Sequence, residues 1–326
     1  MVHPILGLHH VTATVDDAQA DLDVCAGALA LRLVKKTVNF DNRSVYHFYY
    51  GNERGTPGTI WTTFPYRDKG VRVGRNGAGQ ILRTSFSVPA TSLPFWRQRL
   101  TGQVKDLRSS ASAFDEDALQ FTDPSGLHFE LVASGRDART PWAGGAVGGD
   151  DAIRGIHRVS LLVQDPDKTL ALMTEVLGFK VVHEAPGAYR VAAGGDTAGH
   201  FVDVLHDRNA TPASNGLGTV HHVAFAIATA DEQLHVREDL VRQFVHVTPV
   251  MDRCYFQSIY FREPGGVLFE VATVSPGFTI DEPVADLGRG LKLPPWEEPN
   301  RAAIESALPA VSVPGIPASA RTVDAR

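Results

Sequence analysis

The chain has 326 residues, 43% hydrophobic and 21% charged, the make-up of a soluble folded protein long enough for two domains and a sizeable core. Its net charge of −6 argues against nucleic acid or an anionic membrane as partner, because both bind a basic face. Two distant cysteines, Cys25 and Cys254, rule out a disulfide scaffold and a cysteine-ligated zinc site.

The opening "MVHPILGLHH" has no basic segment followed by an apolar run, and no stretch of the chain is apolar for long enough to span a bilayer. A cytoplasmic location is the expectation. The first strand-like segment, "LHHVTATV" (8–15), is followed by a helix-like stretch and then by "ALALRLVKKTV" and "YHFYYGNERGTPGTIWTTFP" (46–65). A second copy starts at "LRTSFSVPA" (from 82) and closes with the hairpin "DPSGLHFELVA" (123–133). The Gly-rich stretch "AGGAVGGDD" (143–151) reads as a linker between 1–142 and 152–275. The third copy, "GIHRVSLLVQD" (from 155), matches the start of the first in glycine, histidine, valine and aspartate. The fourth runs from "VHHVAFAIA" (from 220) to a closing hairpin "EPGGVLFEVAT" (263–273) that matches the second. The repeating unit is therefore strand, helix and about three strands, four times over. The Pro-rich tail, 276–326, is expected to wrap the surface or be partly disordered.

Four βαβββ units in one chain resemble the vicinal oxygen chelate superfamily, which includes glyoxalases and extradiol dioxygenases. The resemblance implies an α+β fold of two cup-shaped mixed sheets, each built from a pair of units and each able to cup a divalent metal. Strand alternation then sorts the side chains. In the first strand His10, Thr12 and Thr14 share one face; His9, Val11, Ala13 and Val15 share the other. In the fourth unit His222 shares its face with Ala224 and Ala226, opposite His221, Val223, Phe225 and Ile227. The apolar faces pack on helices, so His10 and His222 face the cup. Alignment on the shared valine places Arg83 and Arg158 at the same position in the second and third units. The matching position on the closing strand reads Thr62, Glu130, Asp203 and Glu270.

The cups then differ in chemistry. His10, His222 and Glu270 form a two-histidine, one-carboxylate set that suits Fe(II) with open coordination sites. Arg83, Arg158 and Glu130 cannot hold a cation through the arginines and read as a metal-free, ion-paired relic. The first unit is therefore expected to pair with the fourth, and the second with the third. His157 is the competing ligand, but alternation places it with His9 and His221 on the other face.

The motifs "LHHVT", "GTVHHVAF" (218–225), "YFREPGGVLFE" (260–270) and the 46–65 stretch resemble the branch of ring-cleaving dioxygenases that open hydroquinones and chlorohydroquinones. That resemblance implies Fe(II), with Mn(II) as the alternative, bound by His10, His222 and Glu270. The substrates it implies are a small aromatic molecule and O2. It also picks out Tyr260 beside the substrate hydroxyl, Arg253 as partner of an oxygen anion, and Thr12 on the face of His10. The resemblance also suggests His221 as a proton-handling neighbour, with His9 ranked lower, whereas alternation sends both histidines to the helix side unless a bulge intervenes. The superfamily's habit of association points to a homo-oligomer. Two rival readings keep the fold. A glyoxalase-like isomerase or transferase usually takes four protein ligands, and here the fourth corner is Thr62. A non-enzymatic small-molecule binding protein would need no metal.

Overall fold

The computed structural model describes residues 5–315. The first unit comprises β1 (Leu8–Val15), α1 (Ala18–Leu22), β2 (Arg32–Asn39), β3 (Asn42–Gly51) and β4 (Ile60–Pro65). The second comprises β5 (Gln80–Pro89), α2 (Leu93–Leu100), β6 (Lys105–Ala111), β7 (Asp117–Thr122) and β8 (His128–Ser134). The third comprises β9 (Gly155–Val163), α3 (Asp167–Ala171), β10 (Lys180–Ala185), β11 (Ala188–Ala192) and β12 (Phe201–His206). The fourth comprises β13 (Thr219–Ile227), α4 (Ala230–Arg242), β14 (Met251–Asp252), β15 (Gln257–Arg262) and β16 (Leu268–Thr273). A last helix, α5 (Arg301–Ala307), lies in the tail.

Two eight-stranded sheets result, ordered β14-β15-β16-β13-β1-β4-β3-β2 and β10-β11-β12-β9-β5-β8-β7-β6. The first unit thus pairs with the fourth and the second with the third, so each half of the chain contributes to both sheets. The joint in each sheet is an antiparallel pair, β1 with β13 and β5 with β9, flanked by parallel neighbours.

Local sequence explains the repeat. Each joint strand is entered at a glycine with positive φ: Gly7, Gly79, Gly155 and Gly218. At Gly218 a Cβ would lie 2.2 Å from the Ser125 carbonyl oxygen, so only glycine fits the approach. The closing hairpins match in detail as well. Asp123 Oδ1 accepts from the Leu127 N–H at 2.7 Å, and Glu263 Oε1 accepts from the Val267 N–H at 2.8 Å. Helix α4 begins with a capping box between Thr229 and Glu232.

The apolar face of β1 and β13 (Val11, Ala13, Val15, Val223, Phe225, Ile227) is buried in a continuous core. Trp61 carries that core across to the other sheet, with ring centroids 5.1 Å from Phe129 and 6.3 Å from Phe86. The described part of the tail wraps the first unit. The fully buried Lys35 on β2 pairs with Asp281 and Glu282, Phe278 packs 5.0 Å from Tyr49, and Trp296 packs 5.7 Å from Phe40. Tail residues 316–326 lie outside the described residues.

Strict alternation fails at one position in every unit. The β1–β13 register slips twice, leaving His9 as an extra residue in β1 and His221 as an extra residue in β13. The β5–β9 register slips at the equivalent places, Leu82 and His157. These are β-bulges, and each sits immediately before the position read as the ligand position.

Candidate metal centre

His10 on β1, His222 on β13 and Glu270 on β16 meet inside the curl of the first sheet, all buried. The two Nε2 atoms are 3.3 Å apart, and Glu270 Oε2 is 3.2 Å from that of His10 and 2.9 Å from that of His222. Ligands at neighbouring corners of an octahedral ion with bonds near 2.1 Å are separated by about 3 Å, so these spacings outline one face of such an ion. Glu270 Oε2 is buried without any hydrogen bond of acceptable geometry, while Ser258 donates its hydroxyl to Oε1. A buried carboxylate oxygen aimed at two imidazole nitrogens is a cation's donor set, so the residues fit a metal. Burial opposes ionisation of Glu270, but His10 and His222 hold its carboxyl well below the usual range. Among the described residues this is the one set of three or more potential ligands whose donor atoms lie within 4.8 Å of one another.

The bulges supply the next layer. His9 Nδ1 lies 2.9 Å from His10 Nδ1, and His221 Nδ1 lies 2.7 Å from His222 Nδ1. An imidazole that turns its Nε2 lone pair to a metal carries its hydrogen on Nδ1, so with a metal at the triad His10 and His222 would each donate to the histidine before it. The alternation rule sent His9 and His221 to the helix side. The extra residue in each strand turns them instead toward their neighbours, and His221 lines the cavity. Burial lowers the pKa of both to about 3, so both rings are neutral.

The second cup holds charges where the first holds donors. Arg158 meets Glu130 at 2.8 Å, Glu116 at 2.7 Å and Asp203 at 3.0 Å, and Arg83 meets Glu130 at 2.9 Å. The ion-paired network extends beyond the residues found by alignment, through Glu116 and Arg190, whose guanidinium lies 2.7 Å from Asp203. His157 belongs to this cup, 2.8 Å from Glu116, with its Nδ1 buried and unpartnered because an arginine follows it.

A family model described as the Glyoxalase/Bleomycin resistance protein/Dioxygenase superfamily matches residues 155–271. The chain is 41% identical over 304 residues to MhqE of Bacillus subtilis, a protein named for ring-cleaving dioxygenase activity, across 93% of this chain and 98% of that one. It is 37% identical over 300 residues to a chlorohydroquinone/hydroquinone 1,2-dioxygenase of Sphingobium indicum, across 90% and 92% of the two chains. The chain belongs to this superfamily, among its ring-cleaving dioxygenases. A crystal structure from Bacillus subtilis, described as that of a dioxygenase, superposes with a TM-score of 0.90 at 40% identity, over 96% of this chain and 99% of that one.

A cavity of about 370 Å³ opens from the triad of this dioxygenase. Tyr260 and Arg253 both line it, with Arg253 Nε donating to the Tyr260 hydroxyl at 3.1 Å. Cross-strand pairing places Tyr260 directly opposite Glu270. Burial raises the Tyr260 pKa above its ordinary value, so the hydroxyl keeps its proton. Arg253 also reaches Asp41 at the mouth, 3.6 Å away. Thr12 lines the cavity and accepts from the Thr62 hydroxyl at 2.9 Å. Thr62, the fourth corner, is also bonded to His47 Nε2 at 2.9 Å. Cys254, next to Arg253, has its thiol pushed up to about 11 by burial and is not a reactive thiolate.

Sequence reading missed His47, Tyr49 and Ser258. The signal was available in register. Tyr49 opposes Thr62 as Tyr260 opposes Glu270, and His47 precedes Tyr49 by the same two residues that separate Ser258 from Tyr260. Extending the repeat alignment from the closing strand to its hairpin partner would have found all three.

Proposed function

We propose that this dioxygenase opens a hydroquinone-type aromatic ring with O2 at an Fe(II) ion held by His10, His222 and Glu270, with Mn(II) as the alternative ion. The observation that carries the reading is the buried, unsatisfied Glu270 Oε2 facing two Nε2 atoms at facial-triad spacing. When bound, such an ion joins ring and O2 at its open positions and passes charge between them. Thr62 is engaged with His47 and Thr12 instead of offering a fourth donor, which favours an open-site oxygenase over a four-ligand isomerase. The hydroquinone assignment draws on the named activity of the Sphingobium indicum relative.

The chain's own groups then have defined roles. Arg253 holds positive charge beside the Tyr260 oxygen and stabilises an oxygen anion there. The Tyr260 hydroxyl, kept protonated by burial, donates to that anion. His221 accepts at Nδ1 from His222, so its own proton sits on Nε2, where the ring can donate into the cavity it lines. His9 orients His10 in the same manner, and the Thr12 hydroxyl offers a neutral contact one pleat from His10.

The test is anaerobic metal analysis of wild type, His10→Ala, His222→Ala and His157→Ala, with hydroquinone-dependent O2 uptake on the same samples. The expected result is loss of metal and uptake in the first two variants and retention of both in His157→Ala. Metal retained in His10→Ala, or a wild type free of metal, overturns the assignment. The ion recovered from wild type decides between iron and manganese.

A further inference from the structure

One wall of the cavity carries a hydrogen-bonded chain for which the triad and its partner histidines have no use. The His47 ring, on β3, sits between Tyr49, with centroids 4.0 Å apart, and Phe64, with centroids 4.2 Å apart. Its Nε2 is 2.9 Å from Thr62 Oγ1, which is in turn 2.9 Å from Thr12 Oγ1. Nε2 is therefore committed. Nδ1 bonds no protein group among the described residues, although the ring lines the cavity. Burial, with His10, His222 and Arg253 adding to it, holds the pKa of His47 well below its ordinary value, so the ring is neutral. A neutral imidazole with one nitrogen engaged offers the other as a single directional contact. The two hydroxyls behind it can reverse their polarity, so Nδ1 can either accept or donate.

Several polar groups on the cavity wall are engaged: Asn39 donates to the Tyr66 hydroxyl at 2.8 Å, and Arg253 holds Tyr260 and Asp41. His221 keeps its Nε2 for the proton handling proposed beside the triad, and Thr14 and Tyr49 offer hydroxyls, whereas His47 offers a ring nitrogen held in place by two rings and a bonded hydroxyl. Position adds a second argument. The triad stands on β1, β13 and β16, and His47 stands on β3, two strands beyond β1 on the other side. Neighbouring strands are about 4.8 Å apart, so the separation suits a ligand with polar groups at opposite ends of a ring. A second oxygen ortho to the first would remain beside the metal.

We infer that His47 is a specificity-determining residue that hydrogen-bonds the ring hydroxyl para to the oxygen held at the triad, selecting 1,4-diols over monophenols. The inference rests on the triad being the substrate-binding metal site proposed above. Removing the contact takes away preference for the second hydroxyl while leaving the rest of ring binding intact.

The experiment is an anaerobic calorimetric titration of the metal-loaded protein with hydroquinone and with phenol, for wild type, His47→Gln and His47→Asn, with circular dichroism to establish the fold. Gln retains an atom that reaches Thr62 but places none at the δ position, whereas Asn keeps a hydrogen-bonding atom there. Wild type should bind hydroquinone on the order of tenfold more tightly than phenol, the worth of one good hydrogen bond. His47→Gln should bring the two affinities together with phenol binding unchanged, and His47→Asn should restore most of the preference. Undiminished preference in His47→Gln, or equal loss of both ligands, overturns the inference. A wild type that consumes O2 with hydroquinone but binds phenol equally well overturns this inference alone. A wild type that neither binds hydroquinone nor consumes O2 with it overturns the hydroquinone reading, and this inference with it.

Discussion

Glu270 is held from two sides, by the Ser258 hydroxyl on Oε1 and by the histidines facing Oε2. Partners that orient a ligand typically account for 10- to 100-fold in metal affinity. Ser258→Ala is therefore expected to weaken metal binding by about tenfold or more in a chelator competition. Unchanged affinity would mean that Ser258 has no orienting role. A different carboxyl carries a pH signature. Burial raises Asp123 to about 7, against about 3.9 in an unfolded chain. The folded chain keeps a proton that the unfolded chain releases, so this group's stabilising contribution is present at acid pH and is lost as pH rises from about 4 to about 7. Asn at this position keeps the acceptor for the Leu127 N–H. The melting-temperature difference between Asp123→Asn and wild type should therefore move in the variant's favour from pH 5 to pH 8. A constant difference would show that Asp123 is not raised. His10, His222 and Glu270 were legible at this scale because four repeats align one position against itself and only two units carry histidine there.

Elements modify the residue-level pattern. Period-two alternation placed Val11, Val223 and Phe225 correctly in the core and misplaced His9 and His221, because a bulge adds one residue and changes the phase locally. The bulge recurs in all four units, so the doubled histidine is one device, a bulge residue hydrogen-bonded to the triad residue that follows it. In the third unit the same bulge leaves His157 beside Arg158. Arg158 is 1% exposed and holds three carboxylates, so Arg158→Met removes a buried guanidinium and leaves only Arg83 and Arg190 to balance Glu116, Glu130 and Asp203. The expected cost is about 3–5 kcal/mol in urea unfolding, with metal content unchanged because the triad lies in the other sheet. A loss of metal in the folded variant would show that the cups are coupled.

At the scale of the whole molecule, the first and last units are joined by the β1–β13 pairing and fastened by the tail. Lys35→Met would leave Glu282 buried without its partner. A loss of about 3 kcal/mol and faster proteolysis within 276–312 are expected, and an unchanged cleavage pattern would show that the tail is held elsewhere. By itself the sequence determined the four-unit repeat, the apolar strand faces, the grouping of His10, His222 and Glu270, and the pairing of the first unit with the fourth and the second with the third. Each of these depends on local periodicity or on comparing a position with its own copies. Only the tertiary structure decided where the bulges turn His9 and His221, how Glu116 and Arg190 complete the second cup, and how the tail encloses the first. Those features depend on register and long-range approach between strands far apart in the chain, which no local pattern encodes.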